Sequence, residues 1–266
     1  MKLPYSLIAV FDEPKEEILG NISAVFLLDK PLEEETFQKI AADLNQPATT
    51  FLWPAEEEGH FHVRWFAPDA EIGLCGHGTH AATAFLTQPN SLNTVVLHYK
   101  NGMLKGQLDA SGSCSIWIEP IPIMEELEVT DHLQDALGVN IASHYSTNNK
   151  HIVVIGSEDE LATMNPNFAK LRESEIFGYA VTAPGNEVDF VSRTIVPHVR
   201  QLEDHATGSS HAALTPFWSE RLEKIEMHSL QLSPRKGKFT CALDESMVKL
   251  TGNFTTVAHG EYLLQD

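Results

Sequence analysis

The chain is poor in cysteine, in positive charge and in long apolar runs. Its three cysteines, Cys75, Cys114 and Cys241, are odd in number and widely spaced. That argues against the disulfide framework of small secreted folds and for a reducing compartment, with the cytoplasm as the expected location. Lys and Arg together number 18 against 37 Asp and Glu, a formal net charge of −19. So acidic a chain is unsuited to nucleic acid or to anionic membrane surfaces, both of which reward Lys and Arg. No apolar run approaches the roughly 18–20 residues of a membrane span. The opening MKLPYSLIAVFDEPKEE has too short an apolar core for a secretory signal. Nucleic acid and membrane are therefore not expected partners. The acidic runs Glu33–Glu35 and Glu56–Glu58 read as solvated faces.

What is present repeats itself. SAVFLLD (23–29) reads as a buried strand and LEEETFQKIAADL (32–44) as an amphipathic helix, with Phe37, Ile40, Ala41 and Leu44 on one face. TTFLWP (49–54) and FHVRWFAP (61–68) read as strands, followed by a Gly-rich turn and helix over 76–86 and by strands at 94–102 and 114–120. The second half offers the same order. A strand at 151–157 precedes a helical stretch at 159–173, interrupted by Pro166. Strands follow at 178–184 and 188–196, then the polar turn and helix TGSSHAALTPFW (207–218), then strands at 228–234 and 238–244. His80-Ala81-Ala82 and His211-Ala212-Ala213 stand 131 residues apart, close to half the chain. The order predicts an α+β fold of two pseudo-symmetric domains, 1–122 and 123–253, each a mostly antiparallel sheet rolled around an alanine-rich central helix. The boundary falls in EPIPIMEELEVTDH (119–132).

The two turns, GHGT (76–79) and TGSS (207–210), open helices. Free N–H groups and the positive dipole end make such places receptive to anions. If the halves are built alike, the two helix ends can face one another across a cleft and take a small molecule carrying a carboxylate. Gly76, Gly78, Thr79, Gly208, Ser209 and Ser210 are the candidate binding residues. Titratable candidates beside them are Glu71, Cys75, His77 and His80 in one half, and Glu203, Asp204, His205 and His211 in the other. A carboxylate and a histidine so placed are a plausible proton donor and acceptor for moving a proton on carbon, with no metal required. Cys75, near a helix N-terminus, is open to a lowered thiol pKa or to inert packing. Cys75, His77 and His80 fall within six residues, but their spacing is no familiar zinc pattern. No metal and no cofactor are expected.

These motifs have relatives. LCGHGTHAA (74–82) resembles the CGHAT motif of the phenazine-biosynthesis PhzF-like family, LEDHATGSSHAAL (202–214) its EDPATGSAH motif, and GNISAVFLL (20–28) its GNPxAVV segment. The family is similar in fold to diaminopimelate epimerase. The resemblance implies a cofactor-independent isomerase that shifts a proton on a small cyclic amino acid. It also implies a homodimer, and a last strand (254–266) that crosses back to the first domain. By position it implies His77 and Asp204 as groups that shuttle protons or hold the substrate, and Ser209 as a ligand for the substrate's carboxylate or ring substituent. The family's principal acid/base is a glutamate in an N-x-S-E-T-x-F segment. NQPATTF (45–51) aligns with that segment and puts Ala48 in the glutamate's place. Three answers stay open: Asp204 with His77 supplies the base, Cys75 supplies it as a thiolate, or the chain binds its ligand without turning it over.

Overall fold

The computed structural model describes residues 1–88 and 92–264. It divides into two compact units, Met1–Ile118 with Lys249–Asp266, and Glu119–Val248. The first contains β1 (Lys2–Asp12), β2 (Asn21–Leu27), α1 (Glu34–Leu44), β3 (Ala48–Pro54), β4 (His60–Phe66), β5 (Glu71–Ile72), α2 (Gly76–Thr87), β6 (Thr94–Tyr99), β7 (Gly102–Leu108) and β8 (Cys114–Ile118). The second contains β9 (Ile123–Leu127), α3 (Asp131–Leu137), β10 (Ile141–Thr147), β11 (His151–Ile155), α4 (Glu158–Thr163), α5 (Phe168–Leu171), β12 (Tyr179–Pro184), β13 (Phe190–Val196), β14 (Leu202–Asp204), α6 (Gly208–Leu222), β15 (Glu226–Gln231) and β16 (Gly237–Asp244). The final strand, β17 (Met247–Leu263), lies for most of its length in the first unit, where it pairs antiparallel with β1. Positions 265 and 266 of the expected last strand lie outside the described residues.

The pairings of the two units match. β2 runs parallel to β3, as β11 does to β12. β3 turns back on β4 and β12 on β13, both antiparallel. β4 then takes β5 antiparallel and β6 parallel, as β13 takes β14 and β15. The hairpins β6–β7 and β15–β16 complete the correspondence. The fold is thus α+β, two like units of mostly antiparallel sheet around a central helix.

The central helices α2 and α6 are less amphipathic than α1 because strands surround them. α2 packs against β1, β2, β3, β6, β7 and β8, and all of its residues except Phe85 are buried. Small residues let the sheet come close. A Cβ at Gly106 of β7 would stand 2.0 Å from the Thr83 hydroxyl oxygen, so only glycine fits there. α1 instead lies on the outside with one apolar face, and Phe37 meets Phe51 at a ring separation of 4.5 Å.

His80 and His211 occupy equivalent places in the two helices and are fully buried. His80 Nε2 is hydrogen-bonded to the Cys114 carbonyl, and His211 to the Thr207 carbonyl and the Ser229 hydroxyl. Burial pushes both down to about 4, so they are neutral core residues rather than proton carriers. The unfolded chain binds protons at histidine near pH 6.5, which the folded state refuses until about 4. Stability is therefore expected to be full above about pH 6.5 and to fall between there and about pH 4, each histidine adding roughly 1.4 kcal/mol per pH unit. Urea unfolding at half-unit pH steps reads that slope; a flat profile over this window would contradict it.

Sequence and structure part in several places. The helix expected over 159–173 is two short ones, α4 and α5. Pro166 lacks an N–H and disfavours helical backbone before it, and Asn167 starts α5 afresh by capping the Lys170 amide at 3.2 Å. The strand expected at 94–102 ends at Tyr99, and a separate β7 follows after a tight turn. The strands β1, β9 and β10 and the helix α3 carry no periodicity strong enough to have been read.

Candidate functional site

In the first unit, β4 and β5 deliver the chain to the N-terminus of α2. Arg64 grips Glu71 with both arms, Nε to Oε1 at 2.7 Å and Nη2 to Oε2 at 2.8 Å. Glu71 is therefore an anchor of the approach to the turn; its hydrogen bond to Arg64 holds its carboxyl below the usual range. Cys75 is the residue before the helix, and its sulphur accepts the Gly78 amide at 3.3 Å. The Thr79 hydroxyl donates to the Cys75 carbonyl at 2.7 Å. Sγ also stands 3.6 Å from Nδ1 and 3.7 Å from Nε2 of His77. It is therefore nearly equidistant from the two ring nitrogens. Burial pushes Cys241 up to about 12 and Cys114 higher still, so neither is a ready thiolate. Cys75 differs in having an imidazole and a helix amide against its sulphur.

Gly78 is held open by its neighbours. A Cβ there would meet Trp65 Cδ1 at 2.5 Å, Thr50 Oγ1 at 2.9 Å and Cys75 Sγ at 3.0 Å. Thr50 reaches the turn from β3, and Ala48, two residues earlier, shares that strand face. Ala48 is fully buried, and its carbonyl accepts the Ser23 hydroxyl at 3.1 Å. The CGHAT motif has alanine at the position of Gly78, where this chain lodges the Trp65 indole instead. Gly78→Ala is expected to destabilise by about 1–3 kcal/mol through overpacking. A Trp65→Val background should relieve the indole's share of that penalty and leave the share due to Thr50 and Cys75, as a double-mutant cycle in urea would read. Equal costs in both backgrounds would mean the indole is not the obstacle.

The second unit repeats the design with a deeper anchor. Arg193 of β13 grips Glu203 of β14, Nε to Oε1 and Nη2 to Oε2 both at 2.8 Å, with each side chain only 11% exposed. Its remaining arm donates to the Met164 carbonyl at 2.6 Å. Asp204 follows, accepting the Thr207 hydroxyl at 2.8 Å. Gln231 secures the turn by accepting the Thr207 amide at 2.8 Å and donating to the Asp204 carbonyl at 2.5 Å. Thr207 precedes α6 without capping it through its side chain, so the first-turn amides at Gly208, Ser209 and Ser210 receive no side-chain cap from it. The Ser210 hydroxyl is hydrogen-bonded to Thr194 at 2.9 Å, and Ser209 accepts the Lys150 ammonium at 2.9 Å.

Of the titratable candidates, the structure brings Cys75 to His77 and sets Asp204 beside Thr207, Ser209 lying further along the same turn. It assigns Glu71 and Glu203 to arginines, and His80 and His211 to the core. His205 is half-buried, its proton affinity lowered by that burial, and its carbonyl accepts the Ser233 hydroxyl at 2.7 Å. Arg64, Arg193, Gln231 and Lys150 were missed in the sequence. The two arginines could have been found by superposing the halves, since each precedes its glutamate across the same hairpin. Lys150, 59 residues before Ser209, had no such signal. A cavity of about 670 Å³ in the first unit borders the approach to α2, lined by Trp53, His62, Trp65, Ile72, Gly73 and Tyr99 among others. No helix among the described residues is long and apolar enough to cross a membrane.

The family model for phenazine biosynthesis-like proteins matches residues 9–260. An uncharacterized isomerase of Pseudomonas aeruginosa is 34% identical over 233 residues, 88% of this chain and 89% of that protein. The crystal structure of a PhzF-family phenazine biosynthesis protein from Enterococcus faecalis superposes with a TM-score of 0.91 at 33% identity, covering 99% of this chain and 100% of that one. A hydroxyproline epimerase from Agrobacterium vitis, solved with bound trans-4-hydroxy-L-proline, shares the fold at 12% identity and a TM-score of 0.67, over 100% of this chain and 93% of that one.

Proposed function

The chain belongs to the phenazine biosynthesis-like family of isomerases, and from that premise we propose that it moves a proton on a carbon of a small carboxylate-bearing molecule. Asp204, His77 and Cys75 are the proton-handling groups in this reading. Gly76, Gly78, Thr79, Gly208, Ser209 and Ser210 supply amide and hydroxyl donors to the carboxylate. Such donors favour the charge that develops when a proton leaves the carbon next to that group. No step calls for a cofactor. Homodimer formation is part of the same proposal.

One observation supports this above the others. Each unit fixes the approach to its helix with a bidentate Arg–Glu pair, and so leaves a different group beside the turn, Cys75 with His77 in one and Asp204 in the other. Ala48 cannot carry a proton. The Cys75–His77 pair, 3.6 Å from Sγ to Nδ1, is the replacement in the first unit. A noncatalytic binding protein of the same fold is the alternative, favoured by Ala48 alone. Incubation in D₂O with cyclic and acyclic amino and hydroxy acids, trans-4-hydroxy-L-proline and proline among them, separates the two. A mass gain in one compound supports the isomerase. A compound that binds and gains none, with no other compound gaining mass, supports the binder.

A further inference from the structure

Three imidazoles meet where β4 lies beside β6. The parallel register sets His60 against Val96 and His62 against His98. His60 Nδ1 stands 2.9 Å from His98 Nε2, and the His62 ring centroid 5.7 Å from that of His98. Backbone bonds fix the turn that carries His60. Its amide donates to the Glu57 carbonyl at 3.1 Å, and its carbonyl accepts the Ala55 amide at 3.0 Å. The Val96 amide of β6 reaches the Gly59 carbonyl at 3.0 Å. The Glu57 carboxylate stands 3.5 Å from His60 Nε2. A carboxylate there favours the proton on Nε2 and leaves a lone pair on Nδ1, the nitrogen that meets His98. Such an outer carboxylate is the usual companion of a metal-binding imidazole.

The separation of the two nitrogens decides which ion suits them. With metal–nitrogen bonds of about 2.0–2.1 Å, ligands at right angles stand about 2.9 Å apart and tetrahedral ones about 3.3–3.4 Å. The 2.9 Å between His60 and His98 fits the right angle, which suits Cu(II) and Ni(II) rather than the tetrahedral preference of structural Zn(II). We propose that His60 Nδ1 and His98 Nε2 are paired ligands for one divalent copper or nickel ion. Among the described residues no three His, Cys, Asp or Glu side chains gather to hold a metal, so the chain supplies two ligands and water the others. The ion takes the place of the proton between the two rings, and His98 keeps its N–H on Nδ1. His62 and His98 also border the cavity of about 670 Å³, with Trp53, Tyr99 and Lys100, so room for those waters lies beside the pair. The site shares no residue with the proton-handling groups and does not rest on the isomerase reading.

Copper(II) chloride, added to the full chain below one equivalent while the histidine ring signals are followed by NMR, tests this. Broadening is expected first at His60 and His98. The EPR spectrum of the frozen sample should show one tetragonal ion per chain with two nitrogen ligands. His98→Gln should weaken copper at least about 10–100-fold, since even an outer partner is worth that much to a metal site. His60→Gln should do the same. Its side chain is 20% exposed, so it decides the matter if His98→Gln does not fold. Glu57→Gln, at a side chain 76% exposed, should cost several-fold and leave both nitrogens in the spectrum. His144 and His151 are the internal comparison, with ring nitrogens 2.8 Å apart in the second unit. His144→Gln should leave the copper affinity unchanged. Three results would each overturn the proposal. They are broadening centred on His77 or on His144 and His151, broadening shared evenly among the imidazoles as for an adventitious ion, and an affinity that neither His60→Gln nor His98→Gln moves.

Discussion

Asp204→Asn is expected to lower solvent deuterium incorporation into a turned-over compound by about 10²–10⁴-fold, the usual cost of removing a general acid or base. The substitution keeps the side chain's size and can still accept the Thr207 hydroxyl, now 2.8 Å from Oδ2. What it removes is the ability to take up and return a proton. Ligand binding should survive, because the amides of α6 and the Ser209 hydroxyl are untouched. Mass spectrometry after incubation in D₂O reads the loss, and thermal stabilisation by the same compound reads the retained binding. Exchange undiminished in Asp204→Asn but absent in Cys75→Ser would place the base at the sulphur, beside His77. If both variants exchange as the parent does, neither group is the one that carries the proton.

Removing the guanidinium of Arg193 is expected to have the largest effect on stability. Arg193→Ala leaves Glu203 with its charge in a place where both partners are only 11% exposed, and strips a donor from the Met164 carbonyl. Stranding one member of a buried pair costs about 3–5 kcal/mol. At about 2–4 °C per kcal/mol this lowers the melting temperature by roughly 10 °C. Arg64→Ala makes the comparison. Its pair with Glu71 has the same bidentate geometry, but the side chains are 26% and 34% exposed, so about 1 kcal/mol is expected. Calorimetry on the two variants measures the difference. Equal losses would mean that burial does not set the value of these anchors.

Much of the fold could be read from the residues. The strand and helix around each half follow from period-2 and period-3.6 patterning, and the repeat of His-Ala-Ala marked the two central helices. What escaped was structure whose signal is tertiary. β1 is one, its alternation broken by Pro4, whereas the return of β17 to the first unit, across a strand interrupted by Gly252 and Gly260, was expected through the family resemblance alone. The turns were legible because glycine and hydroxyl residues cluster there. Which titratable groups remain beside them was not. Glu71 and Asp204 look alike in sequence, and only the reach of Arg64 separates an anchored carboxylate from one left at the turn. His77 and His80 likewise differ by one helical turn, which puts the first against a sulphur and the second in the core.

The pairing of β1 with β17 also bears on how the protein is made. Residues 119–248 emerge from the ribosome with all the strands of their own unit, whereas the first unit waits for the segment from Lys249 onward. At ~5–20 residues per second, β1 has β2 on one side and nothing on the other for about 10–45 s. An uncovered strand edge is a template for pairing with a neighbouring nascent chain. Lys2 and Pro4 sit on that strand, the one charged and the other without an N–H to offer. They make β1 a poor partner for strangers until its own C-terminal strand leaves the exit tunnel.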